Sequence, residues 1–319
     1  MERPKVSICI PCYNNADEVE CLLQSIYSQV YTDFEVNISD DSTNDDTEAL
    51  VHRCYPKVKY QHNQKPYGHI FNWNAALKMA EGDYIKVMFS DDWFTQETSL
   101  GAFVTLLDDN PGAMLAFSGS RQVLLDGQKG DALHHVTAAH QTKFYDRAAD
   151  AQFIDGLRED YRHLFLGNQI GAPSAVIYRR GSALTLFDER SNWASDLFLY
   201  FDLLEKNPIF AHTEAPLVSI GVHQNQYTES FDEKDERIYN DYRYMYTKYG
   251  LRKSKACREY FAAQFLIKYH KGFREAKGLG IGQGLLVRKW IAEQQATVRC
   301  LLPKRVLQET LKTAFFRSF

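Results

Sequence analysis

Two adjacent carboxylates, Asp91 and Asp92, end the stretch YIKVMFSDDWF (84–94), where an apolar run stops and aromatics resume. Two ionised acids side by side raise each other's pKa, and a hard cation removes the conflict. Magnesium and manganese take oxygen ligands and often share their shell with waters and substrate phosphates. The pair therefore suits a metal clamp on a diphosphate. In the plainer alternative Asp92 caps a helix near residue 97 and Asp91 is solvated. On spacing alone the plainer alternative is favoured, because so short a motif recurs by chance.

Other residues change that balance. A carboxylate at Asp41 can accept a hydrogen bond from a base imide N–H, which uracil, thymine and guanine offer and adenine does not. Tyr13 supplies an aromatic edge to flank a base, and Lys65 a point charge for phosphate oxygens. Each also has an ordinary use: Asp41 in a turn or cap, Tyr13 in half-buried packing, Lys65 on the surface.

The elements that must position these groups alternate between two periods. Strand-like runs fall at KVSICIP (5–11), FEVNIS (34–39), KVKYQHN (57–63), DYIKVMFS (83–90) and AMLAFSG (113–119). Helical spacing fills 15–30, 42–54, 70–80 and 97–109, and Asn15 with Glu18 forms a capping pair for the first. Strand–helix alternation implies parallel crossovers and a sheet covered on both faces. Ligands of such sheets lie outside the carboxyl ends of the strands. The strand tips Tyr13 and Asn14, Asp40 and Asp41, Asn63 and Lys65, and Asp91 and Asp92 are then expected on one rim. Beyond residue 120 the rhythm breaks into an irregular link and a helix. A strand at 172–180, a helix at 195–207 and a strand at 215–223 follow, and from about 232 the chain reads as helical.

The chain has 319 residues, 45% of them hydrophobic and 13% aromatic, enough for a sizeable core. No run approaches the roughly 18 apolar residues of a membrane span, and no secretory signal is expected, so the expected location is cytoplasmic. The six cysteines are scattered. Cys9 and Cys12 imitate a CxxC pair, yet they lie in a strand without a matching second pair, which favours reduced thiols. Charge is uneven: residues 251–319 hold 15 Lys or Arg against 4 Glu, and the preceding part is strongly acidic. A basic end on an acidic body suggests an anionic surface as a partner. The tail LLVRKWIAEQQATVRCLLPKRVLQETLKTAFFRSF suits either a helix at the inner face of a membrane or packing on the catalytic domain. No base-reading module is visible, so nucleic acid is not expected.

Five blocks, VSICIPCYNN, FEVNISDDSTNDDT, HNQKPYGHIFNWNAAL, GDYIKVMFSDDWF and NWASDLFLYFDLL, resemble in order and spacing those of glycosyltransferase family 2. The resemblance covers about residues 4–225. It implies an α/β GT-A fold, with a Rossmann-like, mostly parallel sheet and a helical C-terminal extension. The expected domains are 1–228, with a nucleotide-sugar half (1–120) and an acceptor half (121–228), and a basic helical region (229–319). It further implies inverting transfer of a hexosyl or N-acetylhexosaminyl group from a nucleotide-sugar, a UDP-sugar first, with Mn2+ or Mg2+. The expected acceptor is a glycan or lipid-linked glycan of surface polysaccharide, because neither membrane helices nor a QxxRW block marks a processive synthase.

By position, the resemblance gives Pro11 and Tyr13 to the base pocket, Asp41 to the base with Asp40 beside it, and Lys65 to the phosphates. Asp91 becomes a donor ribose or sugar contact and Asp92 the metal ligand. Asn74, in the block that Gly68 opens, joins the donor-binding residues, Asp196 falls at the catalytic base, and His223 near the metal or diphosphate. Ser90, Ser42 and Ser195 depart from the usual residues. Asp202, six residues on, faces elsewhere, and Asp188 and Glu189 are the nearer substitutes for the base. Two other functional classes remain. A sugar nucleotidyltransferase would carry an early glycine-rich, basic loop, which PCYNNADE lacks. A non-catalytic glycan-binding or scaffold protein would not need the retained acids. His134, His135 and His140 lack a ligand partner at metal spacing, and GLGIGQG (278–284) follows a helix-like segment rather than a strand, so both read as links.

Overall fold

The structure is a computed structural model, and it describes residues 4–125, 143–222 and 231–298. The chain divides into two units near residue 230, with 162–167 and 192–194 grouping with the second.

The first unit is built on a nine-stranded mixed sheet in the order β3-β2-β1-β4-β8-β6-β9-β5, with β7 paired to β6. The strands are β1 (Val6–Cys12), β2 (Phe34–Asp40), β3 (Lys59–His62), β4 (Tyr84–Val87), β5 (Asp92–Phe94), β6 (Leu115–Leu124), β7 (Phe144–Arg147), β8 (Val176–Arg179) and β9 (Phe210–Val222). Parallel ladders join β1 to β2 and β4, β2 to β3, and β6 to β9. β8 runs antiparallel to β4 and β6, and β5 antiparallel to β9.

Both faces of β1 are covered, which is why VSICIPC is buried throughout rather than alternating. Val6, Ile8, Ile10 and Cys12 join one core with α1 (Ala16–Tyr27), α2 (Asp46–Cys54) and α4 (Ser99–Asp108). Helix α1 contributes Val19, Leu22, Leu23 and Ile26, a stripe at helical spacing. On the other face α3 (His69–Lys78) lies against β1 and β2. Burial pushes the Cys9 and Cys12 thiols up, the opposite of a reactive pair.

Two further helices complete the unit, α5 (Ala151–Glu159) and α6 (Ser195–Lys206). The second unit contains α7 (Glu236–Lys248), α8 (Lys255–Phe261), a π-helical turn at Ala262–Ile267, α9 (Phe273–Gly278) and α10 (Gln283–Val298). Its core is aromatic: the Phe165 ring meets Tyr242, Tyr246 and Phe261. Buried Asp241 accepts the N–H groups of Asn192, Trp193 and Ala194. GLGIGQG is the turn from α9 to α10, with Gly280 at φ +75°, and not a phosphate loop after a strand. Leu286 and Trp290, one helical turn apart on α10, are buried within this unit. Among the described residues no helix is long and apolar enough to cross a membrane.

Candidate active site

The carboxyl ends of β1, β2, β3 and β4 share one edge of the sheet, since these four strands are parallel neighbours. Side chains stitch their loops together. Asn14, held at φ +53°, accepts the Thr43 N–H at 2.9 Å and gives its own N–H to the Ser42 hydroxyl at 2.7 Å. Ser42, one of the departures from the usual residues, therefore ties β1 to β2. Asn15 stands at the N-cap of α1 but makes no side-chain cap bond. Its amide instead donates to Ser90 and accepts the Tyr13 N–H, so the expected capping pair with Glu18 gives way to a bond across the rim.

The acids at the tip of β2 differ in use. Asp40 is fully buried, accepting the Ser42 N–H at 2.8 Å and the Tyr60 hydroxyl at 2.7 Å. It builds the turn from inside, both its oxygens engaged, whereas the resemblance put it beside Asp41 at the base. Asp41 accepts Asn63 Nδ2 at 2.7 Å and the N–H groups of Tyr67 and Gly68 at 2.9 Å. Gly68, at φ +88°, opens α3 in a backbone conformation that favours glycine. Asp41 thus holds the loop that carries Lys65, which is exposed. Tyr13 is 54% exposed above this edge, whereas Pro11 is buried at its register with Ser39.

Asn74 is not at the rim. Its amide pairs with the Phe187 backbone in both directions, at 3.0 and 2.9 Å, and it is buried. It fastens the chain before Asp188 to α3, so the expected donor contact is a structural one. Trp73, next to it, packs its ring on Phe89 at 4.7 Å and Phe187 at 5.0 Å.

The acid pair separates by exposure. Asp92 is not a helix cap: it begins β5, opposite Ile220 of β9, and Thr98 stands at the N-cap of α4. Its carboxylate is buried; burial first and Asp91 second push its pKa well up, opposed by the Ser174 hydroxyl and the Gly221 N–H beside it. Asp91 is half-buried, the more accessible of the two. A Cβ on Gly221 would stand 2.5 Å from the Asp91 carbonyl oxygen, so only glycine lets β9 approach so closely. Beneath them Lys86 is fully buried, donating to the Ser174 carbonyl with its Nζ 4.6 Å from the Phe103 ring centre. Burial lowers its pKa to about 7, and the Asp92 charge opposes that shift.

Asp196 lies in the first turn of α6, half-buried, with Asn168 Nδ2 donating to its Oδ2 at 2.7 Å. Ser195 beside it is buried against Ser191, hydroxyl to hydroxyl at 2.9 Å, so a second acid there would be desolvated. Asp188 is occupied by Arg190 through two charge-assisted bonds, and Glu189 is exposed. His223, His134, His135 and His140 lie outside the described residues. One further group with metal-ligand types gathers Asp45, Glu48 and His62. There His62 faces the Ser42 carbonyl through one nitrogen and Glu48 through the other. Two acceptors call for an imidazolium, whose pKa these partners raise, and an imidazolium does not ligate metal.

Ser174, Gly221, Asn168 and Lys86 went unnoticed in the sequence. The first three act through long-range contacts, and Lys86 within YIKVMF has no local signal beyond being a charge in an apolar run.

The family model for glycosyl transferase family 2 matches residues 7–186. The chain belongs to that family, and its fold is GT-A. It is 28% identical over 204 residues to the uncharacterized protein MT1568 of Mycobacterium tuberculosis, covering 63% of this chain and 60% of that protein. It is 32% identical over 108 residues to the GalNAc(5)-diNAcBac-PP-undecaprenol beta-1,3-glucosyltransferase of Campylobacter jejuni, covering 33% and 34% of the two chains. It is 36% identical over 96 residues to the Escherichia coli beta-1,3-glucosyltransferase WfaP, covering 30% and 38%. The matches thus span 60% or less of these relatives' own lengths. Among solved structures, Staphylococcus aureus TarS 1-349 in complex with UDP-GlcNAc superposes at a TM-score of 0.56, with 17% identity, over 98% of this chain and 88% of that one. That likeness bears on the fold.

Proposed function

We propose that the chain is an inverting glycosyltransferase moving a hexosyl or N-acetylhexosaminyl group from a UDP-sugar to a hydroxyl of a glycan or lipid-linked glycan in surface polysaccharide synthesis. The observation that carries it is one short segment, 168–174, bonded at one end to Asp196 and at the other to the Phe89 N–H, two residues before Asp91. A candidate base and the acid pair of the donor rim are thereby tied to one another. The relatives named as glucosyltransferases on undecaprenol-linked glycans support the acceptor class, and the UDP-Glc in the name of the Escherichia coli relative supports the donor class.

Tyr13 flanks the base. Asp41 takes the base imide N–H: a carboxylate offers about four acceptor positions, and three are filled by the protein. Lys65 faces the phosphates. In this reading the roles expected for the acid pair are exchanged, which their exposure supports: Asp91, the accessible member, faces the donor and metal, and buried Asp92 anchors it from behind. The hard oxygen at Asp91 suits Mn2+ or Mg2+. When bound, such an ion supplies positive charge opposite the leaving diphosphate.

Asp196 accepts the proton of the acceptor hydroxyl as that oxygen bonds to the anomeric carbon, from the face opposite the nucleotide. The bond from that carbon to the diphosphate breaks, and the anomeric configuration inverts. A panel of nucleotide sugars with Mn2+, scored by nucleotide release, tests the reading. Release from a UDP-sugar is expected, and release only from another nucleotide would overturn the donor assignment.

A further inference from the structure

We propose that Asn168 is the positioning residue for Asp196, held ready by the turn Asn168–Gly171; this rests on the reading of Asp196 as the base. A carboxylate in the first turn of a helix can rotate, whereas a general base must keep an oxygen within about 2.6–3.2 Å of its proton. Asn168 Nδ2 fixes Oδ2 at 2.7 Å, and the Leu197 N–H meets Oδ1 at 2.7 Å.

Asn168 is itself pinned. Its Oδ1 accepts the Gly171 N–H at 3.2 Å, and its Nδ2 also faces the Gly171 carbonyl at 3.3 Å. An exchanged amide would put oxygen against two acceptors, so these contacts define its orientation. Gly171 stands at φ +95°, a conformation that disfavours any side chain. The Gly171 carbonyl accepts the hydroxyl of buried Tyr200 at 3.0 Å, one turn after Asp196 on the same helix. The turn is thus fastened to α6 at two levels. Three residues later, the Ser174 hydroxyl takes the Phe89 N–H at 3.0 Å, just before the acid pair. The same backbone therefore sets the base and the acid pair at a fixed separation.

The test uses the full chain and the variants Asn168→Ala and Asp196→Ala. UDP release is followed from UDP-glucose and UDP-N-acetylglucosamine, UDP affinity by calorimetry, and the Asp196 carboxyl by carbon NMR titration, assigned with Asp196→Asn. Asn168→Ala is expected to lower kcat about 10- to 100-fold with UDP affinity unchanged. It is also expected to move the Asp196 carboxyl titration upward, since a donor to the charged form is lost. Tyr200 does not titrate in that range, because burial holds its phenol up. An unmoved carboxyl titration in a folded Asn168→Ala protein overturns the proposal, whatever the donor. Full turnover in Asp196→Ala overturns the base reading instead and leaves the carboxyl result to stand by itself.

Discussion

Asp91 and Asp92 are chemically identical neighbours, and the fold leaves the first partly accessible and buries the second. Asp92→Ala removes a buried carboxylate that the Ser174 hydroxyl and the Gly221 N–H face. The expected cost is about 1–3 kcal/mol in denaturant unfolding. Asp91→Asn should leave stability within about 0.5 kcal/mol while abolishing metal-dependent nucleotide release. The reverse pattern would return the metal to Asp92. Asn74→Ala should likewise destabilise the protein and leave UDP affinity unchanged, because its partners are the Phe187 backbone groups. The sequence marks all three residues by type and position in a block. It does not say which way each faces, since that is decided by partners more than eighty residues away.

At the scale of elements, β4 is a buried central strand that carries a lysine inward. Its folded pKa of about 7 lies below the usual lysine value, so the unfolded chain binds the extra proton between the two. Stability contributed by this group therefore rises with pH, from about 7 toward 10. Lys86→Met should remove that rise, on the order of a few kcal/mol, as read from thermal or urea unfolding of both proteins across this range. Parallel slopes in the two would contradict a lysine buried this way. Gly221→Ala should disturb β5 and β9 together, through the Cβ that would meet Asp91. The strand–helix alternation of the first hundred residues was legible because each period is local. The three-residue β5 was read with neither strand nor helix, since its only support is the antiparallel pairing to β9. The boundaries of β6 and β9 were also short of the structure, because their length comes from pairing with each other.

Over the whole molecule, the acidic body and basic end are plain in the sequence, whereas what the end does is not. The first part of the tail, α10, turns Leu286 and Trp290 into its own unit rather than leaving an apolar face for lipid. Its Lys289 pairs with Glu259 at 2.9 Å. The expected membrane contact then falls to the basic residues of 299–319. Flotation with anionic liposomes should be lost when the chain ends at residue 298, and equal flotation of the shortened chain would contradict this. The GT-A architecture was legible as a whole because five blocks kept their order, and order carries more than any one motif. The central claim concerns catalysis at Asp196. It is tested most directly by Asp196→Ala, with nucleotide release from UDP-sugars and UDP affinity measured on the same preparation. The account predicts a loss of release of about 100-fold or more with affinity nearly intact. Equal loss of both, or undiminished release, would contradict it.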